Sequence, residues 1–322
     1  MGPGDLAGRT NVDVDDPFWA REAPRVFRSE LTPVDFLRRT ASVFPERTAV
    51  VHGERRTSYR LLDERVNRLA SALRGAGVAR HDRVAVLSPN APALLEAHFG
   101  VPAAGAVLVA INTRLSSDEI GYILGHSGAR VLLVDAELEP LVAPLELSGV
   151  QVVRVDDSGG PDDPYEALLA SGCAERPESV LIDEEEPISV NYTSGTTGRP
   201  KGVVYTHRGA YLNALGEVIE IGMGFDTVFL WTLPMFHCNG WCFPWAVTAV
   251  GGTHVCLRRV DPEQIWRLLR AEGVTHYCGA PTVQIALVNH ASAGRLGRRV
   301  TVCVAGAPPS PTLLAQMQAL DL

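Results

Sequence analysis

Apolar residues recur along this chain at two spacings, and the alternation between them lays out its elements. Tyr59–Ala76 carries Leu61, Leu62, Val66, Leu69, Ala70 and Leu73 at helical intervals, the stripe of an amphipathic helix. A helix is also predicted over Pro33–Phe44, and a hairpin at Gly53-Glu54 joins Ala49–His52 to Arg56–Ser58. Strands follow at Arg83–Leu87, Val107–Ile111 and Arg130–Val134, separated by helices at Pro92–Gly105 and Ser116–His126. Ser116 with Glu119 three residues later is a capping box, which fixes that helix start. The rhythm then returns. Ile188–Tyr192, Phe229–Leu233, His254–Leu257, Val274–Cys278 and Val300–Ala305 predict strands. Arg208–Ile219, Cys242–Val250, Pro262–Glu272, Pro281–Asn289 and Pro311–Leu322 predict helices, with Asp261-Pro262 supplying a cap and a first-turn proline.

Strands spaced this widely leave room for the crossovers that parallel pairing requires. The fold class that follows is α/β: two stacked, mostly parallel sheets with helices on their faces. The expected join lies between Asp156 and Glu186, where Asp157–Pro164 and the acidic run Asp183–Glu186 have the composition of solvated turns. Residues 1–186 then form a first α/β subdomain with an irregular lead-in, and residues 187–322 a second.

Composition narrows the function. A hydrophobic share of 46% with 20% charged residues is that of a globular protein. The net charge of −8 argues against general binding to nucleic acid or anionic membrane. No run reaches the length of a bilayer span; the best, Phe99–Ile111, is short and interrupted by Gly and Pro. The start lacks the basic and apolar regions of a signal peptide, so the expected compartment is the cytosol, with the six cysteines reduced. Among the 29 basic residues there is a single lysine, Lys201; every other is arginine. A compact ammonium at one place in an arginine-using chain points to a local requirement for it.

Lys201 closes the segment Tyr192–Gly202, Y-T-S-G-T-T-G-R-P-K-G, between a predicted strand and a predicted helix. Glycines at 195 and 198 let backbone approach a phosphate, and successive N–H groups in such turns form an anion-binding nest. Thr193, Ser194, Thr196 and Thr197 add hydroxyls, and Lys201 adds charge. A P-loop is excluded by spacing: counting from Gly195, Pro200 stands where the second glycine belongs, and Gly202 follows the lysine in place of Ser or Thr. The bland alternative is a flexible Gly/Thr surface loop. A zinc site among His237, Cys238, Cys242, His254 and Cys256 lacks the paired ligand spacing of structural zinc, and unpaired cysteines in a core act as small hydrophobes.

Y-T-S-G-T-T-G-R-P-K-G resembles the signature loop of the adenylate-forming superfamily, which includes acyl-CoA synthetases, luciferases and peptide-synthetase adenylation domains. Leu233–Trp241 (L-P-M-F-H-C-N-G-W) resembles the family's aromatic-histidine motif, and Ala305–Pro309 (A-G-A-P-P) its adenine loop. The resemblance implies ATP, Mg²⁺ and CoA as co-reactants and a small carboxylic acid as substrate, within the acyl-CoA synthetase (fatty-acid–CoA ligase) group. It implies that Thr193, Ser194, Gly195, Thr196, Thr197, Gly198 and Lys201 hold phosphates, with Thr196 a candidate Mg²⁺ ligand. It implies that Gly306, Ala307 and Pro308 pack on adenine, that His237 borders the acyl carboxylate, and that Trp241 gates the acyl tunnel. Without the motif, His237 would read as structural and Trp241 as core. Met235–Trp245 and the lead-in residues 31–37 most resemble synthetases for short- or medium-chain acids.

The chain ends at Leu322, before the family's later glutamate motif, its ribose-gripping aspartate and its mobile C-terminal lid with the adenylation lysine. The expectation is therefore an N-terminal fragment with weak or no turnover by itself. Two alternatives stay open: a non-catalytic nucleotide-binding remnant, and an adenylation enzyme that loads a carrier protein. No nucleic-acid partner is expected, and a homodimer is left open.

Overall fold

Twelve short strands are sorted into two mixed sheets of six among the residues this computed structural model describes, 29–193 and 199–322. In chain order they are β1 (Thr48–His52), β2 (Arg55–Ser58), β3 (Arg83–Leu87), β4 (Val107–Ala110), β5 (Ala129–Asp135) and β6 (Gln151–Val155). They continue with β7 (Pro187–Thr193), β8 (Lys201–Thr206), β9 (Val228–Leu230), β10 (Thr253–Val255), β11 (His276–Gly279) and β12 (Thr301–Val304). One sheet has the order β6-β5-β3-β4-β7-β8, the other β12-β11-β9-β10-β1-β2. Every neighbouring pair is parallel except the hairpins β1–β2 and β7–β8. The helices cover the sheet faces, and the α/β class expected from the strand–helix rhythm is the one observed.

Sheet membership does not change at residue 186. The early hairpin β1–β2 is built into the sheet of the late strands, and β7 and β8 close the sheet of the early ones. Residues 31–322 make one compact unit. The physical reason is pairing between segments far apart in the chain: the β1 edge finds β10, with Val50 opposite His254, while β7 pairs with β4 at Leu108 and Ser189. The acidic run is also bound into the fold. The Glu184 carboxylate accepts the Leu31 N–H at 2.9 Å and pairs with Arg208, while Glu186 accepts from Arg80 and from His81. Burial pushes the Glu186 carboxyl up, but those hydrogen bonds prevail and hold it at about 2.

Local sequence explains the element ends. Ser116 and Glu119 form the reciprocal capping box, and the helix Ser117–Ser127 stops at Gly128 in the left-handed region, φ +61°. Trp231, Trp245, Phe229 and Phe243 are fully buried and pack against one another or on histidine rings, edge-on or tilted except for Trp231 stacked on His254. Arg258, just after β10, reaches the other sheet, donating to Asp135 at 2.8 Å and Asp157 at 2.7 Å. The elements that escape the apolar pattern include β6, the helix Pro164–Ser171 and β8. Asp163 caps that helix and Pro164 opens it, a start signal hidden within a segment whose polarity reads as linker.

Candidate functional site

The two described ends of the segment Tyr192–Gly202 lie on the paired strands β7 and β8. Thr193 faces Lys201 across the ladder and Tyr192 faces Gly202, so the two strands bring both ends of the loop together. Ser194, Gly195, Thr196, Thr197 and Gly198 lie outside the described residues. Gly202 is glycine for a packing reason: a Cβ there would stand 2.8 Å from Val190 Cγ1 and against the Tyr192 ring. Lys201 is exposed, and among the described residues it makes no ion pair or side-chain hydrogen bond. After β8, Thr206 caps the helix His207–Glu220, its hydroxyl accepting the Gly209 N–H at 3.0 Å.

The aromatic-histidine segment leaves the C-terminal end of β9. Asn90, which follows β3 of the other sheet, anchors it from three directions: its amide donates to the Trp231 and Leu233 carbonyls and accepts the Met235 N–H at 2.8 Å. His237 is exposed at the end of this anchored stretch. The next five residues turn left-handed: φ is +46° at Cys238, +45° at Asn239, +53° at Gly240, +57° at Trp241 and +63° at Cys242. Left-handed residues other than glycine are strained, and runs of them are rare. Gly240 is required on a second count, because a Cβ there would meet the Trp231 ring at 2.9 Å. The turn holds Trp241 46% exposed beside the mouth of a cavity of about 480 Å³, lined mainly by Val204, Tyr205, Ala210, Asn213, Trp241 and Cys242.

The cavity is mostly apolar, with a polar side on the helix His207–Glu220. Burial pushes the Cys242 thiol up to about 12 although the Asn213 side chain hydrogen-bonds it. Partial burial raises the Glu217 carboxyl against the hydrogen bond from Trp241. On the other sheet, Cys278 and Cys303 face each other on β11 and β12; the bond from the Cys278 thiol lowers Cys303 to about 7. Three residues after Cys303 the chain turns at Gly306, φ +94°, and Gly306, Ala307 and Pro308 stand exposed beyond the C-terminal end of β12. The segments after β9 and β12 thus leave the same edge of one sheet, where α/β sheets bind ligands.

Of the expected site residues, Thr193 and Lys201 lie on the hairpin, His237 and Trp241 on the segment docked against it, and Gly306–Pro308 at the neighbouring strand end. The histidine and cysteines weighed for zinc go different ways. His254 is fully buried, accepting the Trp231 indole N–H at 3.2 Å and bonding Thr248 at 3.0 Å, and Cys256 is buried. Among the described residues no group of three or more His, Cys, Asp or Glu side chains is placed to hold a metal ion, and Thr196 lies outside them. Sequence reasoning missed Tyr205, Asn213, Cys242 and Asn239. The Asn239-Gly240 pair was the available signal, since both residues tolerate left-handed backbone. Asn213 and Glu217, four apart, share the cavity side of their helix.

A family model described as AMP-binding enzyme matches residues 37–321. An acetate/butyrate–CoA ligase from Arabidopsis thaliana, named as peroxisomal, is 41% identical over 311 residues, covering 89% of this chain and 55% of its own length. The 4-hydroxybutyrate–CoA ligase 2 of Metallosphaera sedula is 42% identical over 306 residues, covering 90% of this chain and 55% of the relative. The chain therefore spans about half the length of the curated relatives it matches. Among solved structures, the inhibitor-bound N-terminal domain of FACL13 from Mycobacterium tuberculosis superposes with a TM-score of 0.81 at 27% identity, covering 90% of this chain and 73% of that one.

Proposed function

This chain belongs to the AMP-binding enzyme family, and on that premise we propose that it serves the ATP-dependent activation of a short- to medium-chain carboxylic acid to its acyl-CoA. The substrate carboxylate attacks the α-phosphorus of ATP, forming an acyl-adenylate as the bond to pyrophosphate breaks. The CoA thiol then attacks the acyl carbon, forming the thioester and releasing AMP. The carboxylate already carries its charge, so the first step needs positioning and charge neutralisation more than a general base. Lys201 and Thr193 hold phosphate oxygens at the hairpin, together with the loop between them. Gly306, Ala307 and Pro308 present backbone to the adenine. His237 borders the acyl carboxylate, and Trp241 closes the cavity mouth over the acyl chain. Mg²⁺, for which Thr196 is the candidate ligand, would neutralise charge on the phosphates. The free cysteines suit a reducing compartment, for which we propose the cytosol.

One observation carries this reading. Val204 and Tyr205, on the strand that leaves the phosphate loop, line the same apolar cavity as Trp241 of the aromatic-histidine segment. An acid seated there has its reacting end towards the loop that would hold ATP. Calorimetric titration with a non-hydrolysable butyryl-adenylate analogue tests it. One analogue per chain is expected, with affinity falling about tenfold in Trp241→Ala as the buried aromatic contact is lost. Absence of binding by the folded protein would refute the reading.

A further inference from the structure

Asn239 occupies the middle of the left-handed turn with no solvent exposure, at φ +45° and ψ +49°. Its backbone N–H donates to Asn191 Oδ1 at 3.0 Å. That bond settles the sense of both amides. With its oxygen turned to the N–H, Asn191 directs its nitrogen at the Asn239 side chain, and Asn239 answers with its oxygen. Asn239 Oδ1 also accepts the Ser189 hydroxyl at 2.6 Å, which uses both lone pairs. The Asn239 Nδ2 is then left buried with no hydrogen-bond partner.

The arrangement is costly on two counts. A buried amide donor without a partner costs about 1–3 kcal/mol, and a left-handed non-glycine residue on the order of 1 kcal/mol more. Glycine at 239 would remove both costs, and the chain carries asparagine instead. What the asparagine side chain adds is two of the three bonds to β7, those from Ser189 and Asn191, while the backbone N–H bond would remain in glycine. Ser189 and Asn191 lie on the strand that delivers the phosphate loop at Thr193, while the turn begins immediately after His237 and contains Trp241. Among the described residues the link is the only side-chain hydrogen bonding between that turn and β7.

We propose that Asn239 is a positioning residue, through which the acyl-side turn and the phosphate-loop strand are held in register so that each ligand's binding favours the other's. The inference rests on the functional reading above and adds to it a coupling between the two subsites. A merely structural asparagine would alter stability, and both affinities together, without altering that coupling.

The test measures ATP affinity of the 322-residue protein by calorimetry, with and without saturating butyrate, in the wild type, Asn239→Gly and Ser189→Ala. Glycine keeps the left-handed backbone accessible while removing the side-chain link. In the wild type, butyrate is expected to tighten ATP by about fivefold or more. In Asn239→Gly the factor should fall close to one while ATP alone changes by less than about threefold; Ser189→Ala, which removes one of the three bonds, should fall between. A folded Asn239→Gly that keeps the full coupling overturns the proposal, as does a wild type that binds both ligands independently. Should Asn239→Gly fail to fold, Ser189→Ala decides: undiminished coupling overturns the proposal, reduced coupling supports it. A wild type that binds neither ligand refutes the functional reading itself, a result distinct from binding without coupling.

Discussion

Among the buried histidines, three are held as neutral rings strongly enough to make the stability of the fold depend on pH. Burial pushes His98 down to about 4 and His207 to about 4, and burial with the neighbouring His98 takes His254 to about 3. Unfolded, each would titrate near 6.5. Between those values the unfolded chain binds protons that the folded chain refuses. Their contribution is therefore complete above about pH 6.5 and is lost as pH falls towards 4, on the order of 3 kcal/mol for His98 alone. The urea midpoint should fall steadily from pH 7 to pH 5; a flat profile would contradict the burial of these rings. None of this was legible in the sequence, where the reading of His254 was confined to excluding zinc. A histidine's partners come from distant positions, here Trp231 and Thr248, and spacing does not reveal them. Lys201 was legible for the opposite reason, as the one ammonium in a chain of guanidiniums. Asn239 stayed hidden because its role depends on Ser189 and Asn191, some fifty positions earlier.

At the scale of elements, the apolar periodicity located most helices and strands to within a few residues, because their ends are written in adjacent side chains. The Ser116–Glu119 box is the clearest case, and Ser116→Ala should cost about 1 kcal/mol in urea-unfolding free energy. Where an element lacked a contiguous apolar run, the pattern failed. β8 begins Lys-Gly and is exposed over its first four residues, so it reads as loop although it pairs along its length with β7. The helix Pro164–Ser171 ends at Gly172, where an added Cβ would stand 2.0 Å from the Arg68 carbonyl oxygen. That contact is with backbone and cannot be relieved by a rotamer change. Gly172→Ala should therefore destabilise by about 2 kcal/mol or more, measured by the same unfolding curve. The helix packs on Tyr59–Gly75, and a neutral Gly172→Ala would contradict that contact.

At the scale of the whole molecule, class could be read in advance and sheet membership could not. Strand–helix alternation dictates parallel sheets with covered faces, but which strand pairs with which is decided by non-local contacts, and β1–β2 and β7–β8 each join strands from the other half of the chain. The sheets are tied where they meet. Arg258 bonds Asp135, which is 1% exposed, and Asp157, whose carboxyl is raised by burial yet held at about 2 by its hydrogen bonds from His52 and Arg55. Arg258→Ala would strand the Asp135 carboxylate in the interior, and a loss of about 2–3 kcal/mol is expected, discounted for the guanidinium's partial exposure. The same meeting of sheets builds the candidate site, with the phosphate hairpin from one and the strand-end loops after β9 and β12 from the other. The combined edge is proposed to bind ATP through the hairpin. The most direct measurement is an ATP titration of the wild type against Lys201→Ala, with thermal unfolding to verify that both are folded. Saturable binding of one ATP per chain is expected, weakened about tenfold or more when the ammonium is removed. No binding by the wild type, or equal affinity in the variant, would contradict it.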